Sequence, residues 1–423
     1  MKPALLKALL KRVPLITRVY ILSLLSLSPT GGKQDVRTEL LVNIFRSFIN
    51  QEGSQIGKVQ YLSSRPYAPL SRTWVAEVKI PKPEDDVLAK LLQVVDSLKD
   101  EDMTYDIPEL KDVEGEWVGY RANVDPKAPL PDVSEAEKYK LMMKEVTEDV
   151  TVLYLHGGAY YLLDPVSYRT TTVRLAKATG GRCFSVRYRL APQSPFPAAI
   201  LDALVAYLSL LSPPPGALHD PVPAKNIVFA GDSAGGGLSI ALLQTILTIR
   251  RLYDSPTIRF HGKDVPIELP GGAAVCCPYL DVTRSLPSQT ENAPYDYLPT
   301  PRPVVDGVYQ PTQYPSDQFW PTAKPRVELY CDAKTLMHPL ICAVAAPKEL
   351  WKDSPPIFVG CAQDSLEDDG LYFSRKLAEV GAPVVCERFE GMPHVLPTII
   401  LWSANARKFM KDWAGFCVKA HRG

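Results

Sequence analysis

A chain of 423 residues exceeds one minimal core and fits a single large α/β domain with a smaller appendage. Lys+Arg and Asp+Glu both number 47, so no net charge recruits nucleic acid or another polyanion, and the expected partner is a neutral small molecule. The 8 cysteines show no C-x-x-C spacing and sit mostly in apolar runs; they read as reduced core thiols, which points to a cytoplasmic protein.

At the N-terminus, Lys2, Lys7, Lys11 and Arg12 precede an apolar stretch at 19–25, and Pro14 and Arg18 interrupt the pattern between them. The pattern superficially resembles a secretory leader, but no small-residue cleavage site follows and the run is too short to span a bilayer. A second apolar helical pattern follows at 40–45. Residues 1–66 are therefore expected to form amphipathic lid helices. The alternative is peripheral membrane contact or the secretory pathway, because basic residues beside an apolar face suit an interfacial helix.

The catalytic domain is expected over 67–423. Alternating apolar and polar residues at 74–80 predict its first strand, followed by an amphipathic helix over 85–99, a strand at 116–120, a polar helix from Ser134 and a buried strand at 150–155. Further strands at 182–188, 226–230, 273–278, 357–361 and 384–389 alternate with helices at 197–210, 235–250 and 371–380, before a last helix at 402–419. This order predicts a mostly parallel sheet covered on both faces. Residues 286–330 are rich in Pro and Tyr without a period, and read as a lid insertion over the strand ends. Its Tyr295, Tyr297, Tyr309, Phe319 and Trp320 suggest an aromatic pocket, with ordinary packing an equal reading.

A serine hydroxyl needs a base, a residue to orient that base and donors for an oxyanion. Ser233 stands in Gly231-Asp232-Ser233-Ala234-Gly235, between a strand pattern and a helix pattern, as a nucleophile elbow requires. Side chains at 231 and 235 would crowd so tight a turn. Among 6 histidines, His394 lies in a turn directly after the 384–389 strand and is the expected base. His156 reads as a loop-fixing residue. Asp364, following the 357–361 strand, is preferred over Asp368 as the acid; Glu367, Asp368 and Asp369 read as a solvated helix start. The small residues Gly157, Gly158 and Ala159 end the 150–155 strand and offer N–H groups as an oxyanion hole, with Ala234 as partner.

Four motifs together resemble the hormone-sensitive-lipase family of α/β-hydrolase-fold esterases. They are His156-Gly157-Gly158; Tyr188-Arg189-Leu190-Ala191-Pro192 with Phe196-Pro197-Ala198-Ala199; the Ser233 motif; and Asp364 with Gly391-Met392-Pro393-His394. The resemblance runs from about residue 150 to the C-terminus. It implies an esterase that uses neither metal nor cofactor, works through an acyl-enzyme, and has oxyanion donors at Gly158, Ala159 and Ala234. Three positions depart from the family pattern: Ala159 replaces a third glycine, Gln193 an acidic residue and Ser365 a proline. The overall texture is similar to fungal acetyl-ester and secondary-metabolite hydrolases, so a short-acyl ester of a bulky hydrophobic alcohol is the expected substrate. Two rival functions stay open: acyl transfer or cyclisation by the same triad, and a non-catalytic ligand-binding role. The sequence leaves the oligomeric state unspecified.

Overall fold

Eight strands form the central sheet of the computed structural model, which describes residues 10–49, 54–65, 67, 69, 72–125, 128–301, 314–323, 326 and 328–422. In chain order these are β1 (Thr73–Ile80), β2 (Val113–Tyr120), β3 (Thr151–Leu155), β4 (Arg182–Arg187), β5 (Ile227–Asp232), β8 (Gly272–Cys276), β9 (Ile357–Ala362) and β10 (Val384–Phe389), with β6 (Thr257–Phe260) and β7 (Lys263–Pro266) forming a separate hairpin. The spatial order is β1-β2-β4-β3-β5-β8-β9-β10; β2 runs antiparallel to β1 and β4, and every other pairing is parallel. The central strands β3, β5, β8 and β9 are buried at every residue, which is why they read as continuous apolar runs.

Two apolar cores flank the sheet. One contains Leu91, Leu204, Leu243 and Phe373, from the helices Asp85–Leu98, Ala198–Leu211, Ser233–Leu252 and Glu367–Glu379. The other contains Leu175, Phe409 and Trp413, from Pro165–Thr179 and Ala404–Arg422. This is the expected α/β-hydrolase architecture, with two elements added. The helix Pro165–Thr179 escapes a search for apolar periodicity because its buried residues include Arg169, Thr171 and Thr172. Arg169 is accommodated by Glu116, whose Oε2 lies 2.6 Å from Nη2. The punctuation is nevertheless legible: Asp164 caps the Val166 N–H, Pro165 starts the helix, and Gly180 ends it at φ 71°. The β6–β7 hairpin turns on His261 and Gly262, both at positive φ (46° and 80°), as tight hairpins demand.

The described part of the N-terminal segment is helical over Val13–Leu24, Val36–Ile49 and Ile56–Ser63. It meets the described part of the 286–330 insertion, where the Gly57 N–H donates to Asp317 at 2.8 Å and the Gln55 amide to the Ser316 carbonyl at 2.9 Å. Tyr297 and Trp320 are buried, Tyr295 and Phe319 partly so, and Tyr309 lies outside the described residues. Among the described residues no helix is long and apolar enough to cross a membrane. The 8 cysteines are free thiols, and only Cys386 is exposed.

Candidate active site

β5 ends at Asp232 and the next helix begins at Ser233, so the chain reverses within one residue. Ser233 takes a left-handed φ of 52°, a conformation that costs a non-glycine residue about 1–2 kcal/mol. The flanking glycines make the turn sterically feasible. A Cβ on Gly231 would lie 2.4 Å from the Gly235 carbonyl oxygen, and one on Gly235 would lie 2.0 Å from that of Leu155. Ser233 is partly exposed between buried neighbours, and its carbonyl accepts the Tyr279 N–H at 2.9 Å.

Asp364 lies on the loop after β9 and His394 on the loop after β10, and the structure brings them together: Nδ1 of His394 is 2.6 Å from Oδ2 of Asp364, with both residues buried. Asp364 Oδ1 also accepts the Leu366 N–H at 3.0 Å. Burial pulls the His394 pKa down, but the hydrogen bond to the Asp364 carboxylate and its charge outweigh it and leave the ring well above its ordinary 6.5. Burial raises the Asp364 carboxyl against the opposing pull of His394. One atom each from Cys277, Asp364 and His394 lies within 4.8 Å of the others; a soft cation would find three ligand types there, two of them already joined by the 2.6 Å bond. His394 Nε2 has no partner among the described residues, so Ser233 Oγ does not yet touch it. Such contacts tighten when substrate binds.

The other candidates have structural duties. His156 is fully buried and stacks on Tyr188 at 4.2 Å, its Nδ1 lies 2.7 Å from the Gly157 carbonyl, and burial lowers its pKa to about 4. Asp368 accepts the Ser288 N–H at 2.8 Å. The expected solvated helix start needs correction, because Glu367 and Asp369 are buried. Asp369 accepts the N–H groups of Leu280 and Asp281 at 2.9 and 2.8 Å, while Glu367 binds Arg388 and accepts the Asn292 amide at 2.9 Å.

In the loop after β3, Gly158, Ala159 and Tyr160 all have positive φ, at 112°, 51° and 64°. Only glycine fits at 158, where a Cβ would meet the Leu162 carbonyl oxygen at 2.2 Å. Ala159 keeps its N–H in this conformation at a cost of about 1 kcal/mol. The Gly157 N–H faces the Asp232 carboxylate, and a Cβ there would lie 2.4 Å from Oδ2. Asp232 is fully buried, accepts the hydroxyls of Tyr154 and Tyr168 at 2.7 and 2.8 Å, and is raised by burial to about 6. It joins the elbow to the loop after β3, a role invisible in sequence because any residue can fill the second place of the motif.

The remaining departures also find partners. Gln193 donates to Gln60 of the N-terminal segment at 2.7 Å, and the Ser365 N–H donates to the buried Asp296 at 2.9 Å. Asp296 lies in the irregular insertion, where no periodicity marks it.

A family model described as the alpha/beta hydrolase fold matches residues 152–398. An acetyl-hydrolase of Streptomyces hygroscopicus is 30% identical over 249 residues, covering 58% of this chain and 67% of the relative. An esterase of Acinetobacter venetianus is 26% identical over 265 residues, covering 63% and 73%. Among solved structures, an esterase from the bacterial hormone-sensitive lipase family superposes with a TM-score of 0.59 at 20% identity, over 92% of this chain and 99% of its own. The motifs that carried the resemblance fall inside the matched span, on the strand ends where the sheet gathers them, and the chain belongs to the alpha/beta hydrolase family.

Proposed function

We propose that the chain is a serine carboxylic-ester hydrolase whose nucleophile, base and acid are Ser233, His394 and Asp364. The observation that carries this reading is the buried 2.6 Å bond between His394 and Asp364, on loops of the same sheet that holds the Ser233 elbow. His394 Nε2 takes the Ser233 proton as Oγ attacks the ester carbonyl. Asp364 holds the Nδ1 proton and balances the imidazolium charge, and the N–H groups of Gly158, Ala159 and Ala234 receive the oxyanion. The imidazolium then protonates the departing alkoxide. Water, deprotonated by the same ring, releases the acid from the acyl-enzyme and restores Ser233. A fluorophosphonate probe is expected to label Ser233, and Ser233→Ala to lose both labelling and ester hydrolysis; retained hydrolysis by that variant would sink the assignment.

The substrate we propose is a short-acyl ester, acetyl above all, of a hydrophobic alcohol. Aromatic rings support this reading: Tyr160, next to Ala159, stacks on Tyr330 at 3.8 Å, and Tyr297 meets His394 edge-on at 6.0 Å. The Streptomyces relative is named for acetyl hydrolysis. A panel of nitrophenyl esters tests this, with a preference for long chains counting against it. Product analysis with alcohol or amine acceptors separates hydrolysis from acyl transfer.

A peripheral contact with anionic membrane surfaces completes the proposal. The helix Val13–Leu24 turns Val19 inward, yet Tyr20, Ile21, Leu24, Leu25 and Leu27 are 49–74% exposed on its outer side and just beyond it. The first 34 residues carry 6 basic side chains (Lys2, Lys7, Lys11, Arg12, Arg18 and Lys33) and no acidic one. An exposed apolar face on a segment whose sequence is basic suits an anionic bilayer surface. Flotation with phosphatidylserine-containing vesicles is expected for the native chain and lost in a Leu24→Glu, Leu25→Glu variant. Equal flotation of both, or a face buried by self-association in light scattering, would refute it.

A further inference from the structure

Residues 288–297 back both the acid loop and the base loop. The Ser288 hydroxyl donates to the Ser365 carbonyl at 3.0 Å, the Asn292 amide to the Asp364 carbonyl at 3.0 Å, and the Tyr297 hydroxyl to the His394 carbonyl at 3.2 Å. Asp296 stands at the centre with no exposure to solvent. Its Oδ2 accepts the Ser365 N–H at 2.9 Å; its Oδ1 accepts the N–H groups of Tyr297 at 2.7 Å and His394 at 3.3 Å.

Taking a carboxylate out of water is costly unless hydrogen bonds replace its hydration. Two of the three donors that satisfy Asp296 belong to residue 394 itself and to the residue after Asp364. Ser365 has an N–H to donate, which a proline at that position would lack. The segment is fastened in turn from the N-terminal helices: Arg46 Nε donates to the Asp296 carbonyl at 3.1 Å and Nη2 to that of Ala293 at 2.6 Å, and the Gln34 amide to the Tyr295 carbonyl at 2.7 Å.

We infer that Asp296 is a positioning residue for the reaction: one rigid carboxylate ties the loop of Asp364 to the loop of His394 and sets how Nδ1 meets Oδ2, with Arg46 bracing it from the N-terminal helices. The inference rests on the proposed roles of Asp364 and His394 and deepens them. It makes the N-terminal helices part of what keeps the acid and base aligned, in addition to any role as a cover.

The test uses the full chain with p-nitrophenyl acetate. Displacing a catalytic group by about 1 Å costs about 10²-fold, so Asp296→Ala is expected to lower kcat by about that factor with little change in KM. Fluorophosphonate labelling of Ser233 should slow in parallel, and the acid limb of the pH–rate profile should shift. Asp296→Asn should recover part of the loss, because its oxygen still accepts an N–H. Native kcat and an unmoved pH profile in Asp296→Ala would overturn the inference even if thermal stability fell, as would a loss confined to KM. Should Asp296→Ala fail to fold, Arg46→Met decides: a lower kcat with the same pH shift supports the inference, and unchanged kinetics overturn it. If the probe does not label native Ser233, the proposed function fails; if it labels the native chain and Asp296→Ala equally fast, only this inference does.

Discussion

His394 Nδ1 and Asp364 Oδ2 meet at 2.6 Å in a site where neither side chain is more than 3% exposed. Water cannot screen this pair, so the carboxylate acts on the ring at close to full strength. In the proposed reaction His394 must be neutral to accept a proton, and its pKa is raised above 6.5. Activity should therefore rise with pH through a midpoint above that value and be lost below it. Asp364→Asn should cut kcat by about 10⁴-fold and move the acid limb downward, since it removes the charge that holds the ring proton. A native midpoint below 6.5 in the profile of kcat/KM would contradict the electrostatic account.

The elbow glycines lead to a stability prediction. A Cβ at Gly235 would lie 2.0 Å from the Leu155 carbonyl oxygen and 2.5 Å from that of His156, both in backbone that cannot step aside. Gly235→Ala is expected to destabilise the chain by about 3 kcal/mol, at the upper end of overpacking costs, and to displace the oxyanion loop. Urea unfolding measures the first effect and turnover the second. A variant with native stability would show that the β3 loop and the elbow are not pressed together.

Arg169 and Glu116 test the cost of buried charge. Their side chains are 5% and 2% exposed, and Glu77, which is 66% exposed, is the other carboxylate on Arg169, at 3.2 Å. Glu116→Leu should destabilise by about 3–5 kcal/mol by leaving the guanidinium poorly paired, while Glu116→Leu with Arg169→Met should regain much of that loss. Additive losses in chemical unfolding would argue against a coupled pair.

The single exposed cysteine offers a labelling experiment. The neighbouring Cys361 thiol stabilises the Cys386 thiolate and lowers its pKa to about 6, more than offsetting its partial burial. Iodoacetamide should therefore modify Cys386 first among the 8 cysteines, with a rate that levels off above about pH 6. Mass spectrometry of limited alkylation reads this directly. A rate that climbs until about pH 8.5, as for an ordinary thiol, would exclude the contact.

Local pattern was enough to reveal the strands along the chain, because buried parallel strands such as β3, β5 and β9 are short apolar runs wherever they occur. Steric need revealed the elbow, since Gly231 and Gly235 admit no side chain in any fold that makes this turn. Chain order then singled out Asp364 and His394. Tertiary structure alone decided how these parts are held: Asp232 between two tyrosine hydroxyls, Gly157 packed against Asp232, Glu367 and Asp369 buried, and Asp296 bridging two loops from an insertion that shows no period. The Asp296 bonds to Ser365 and His394 join residues 69 and 98 positions apart. Repeats of 2 or 3.6 residues report which face of one element is apolar. They carry no record of which distant N–H a buried carboxylate will meet, and that choice is made only when the sheet brings its loops to one edge.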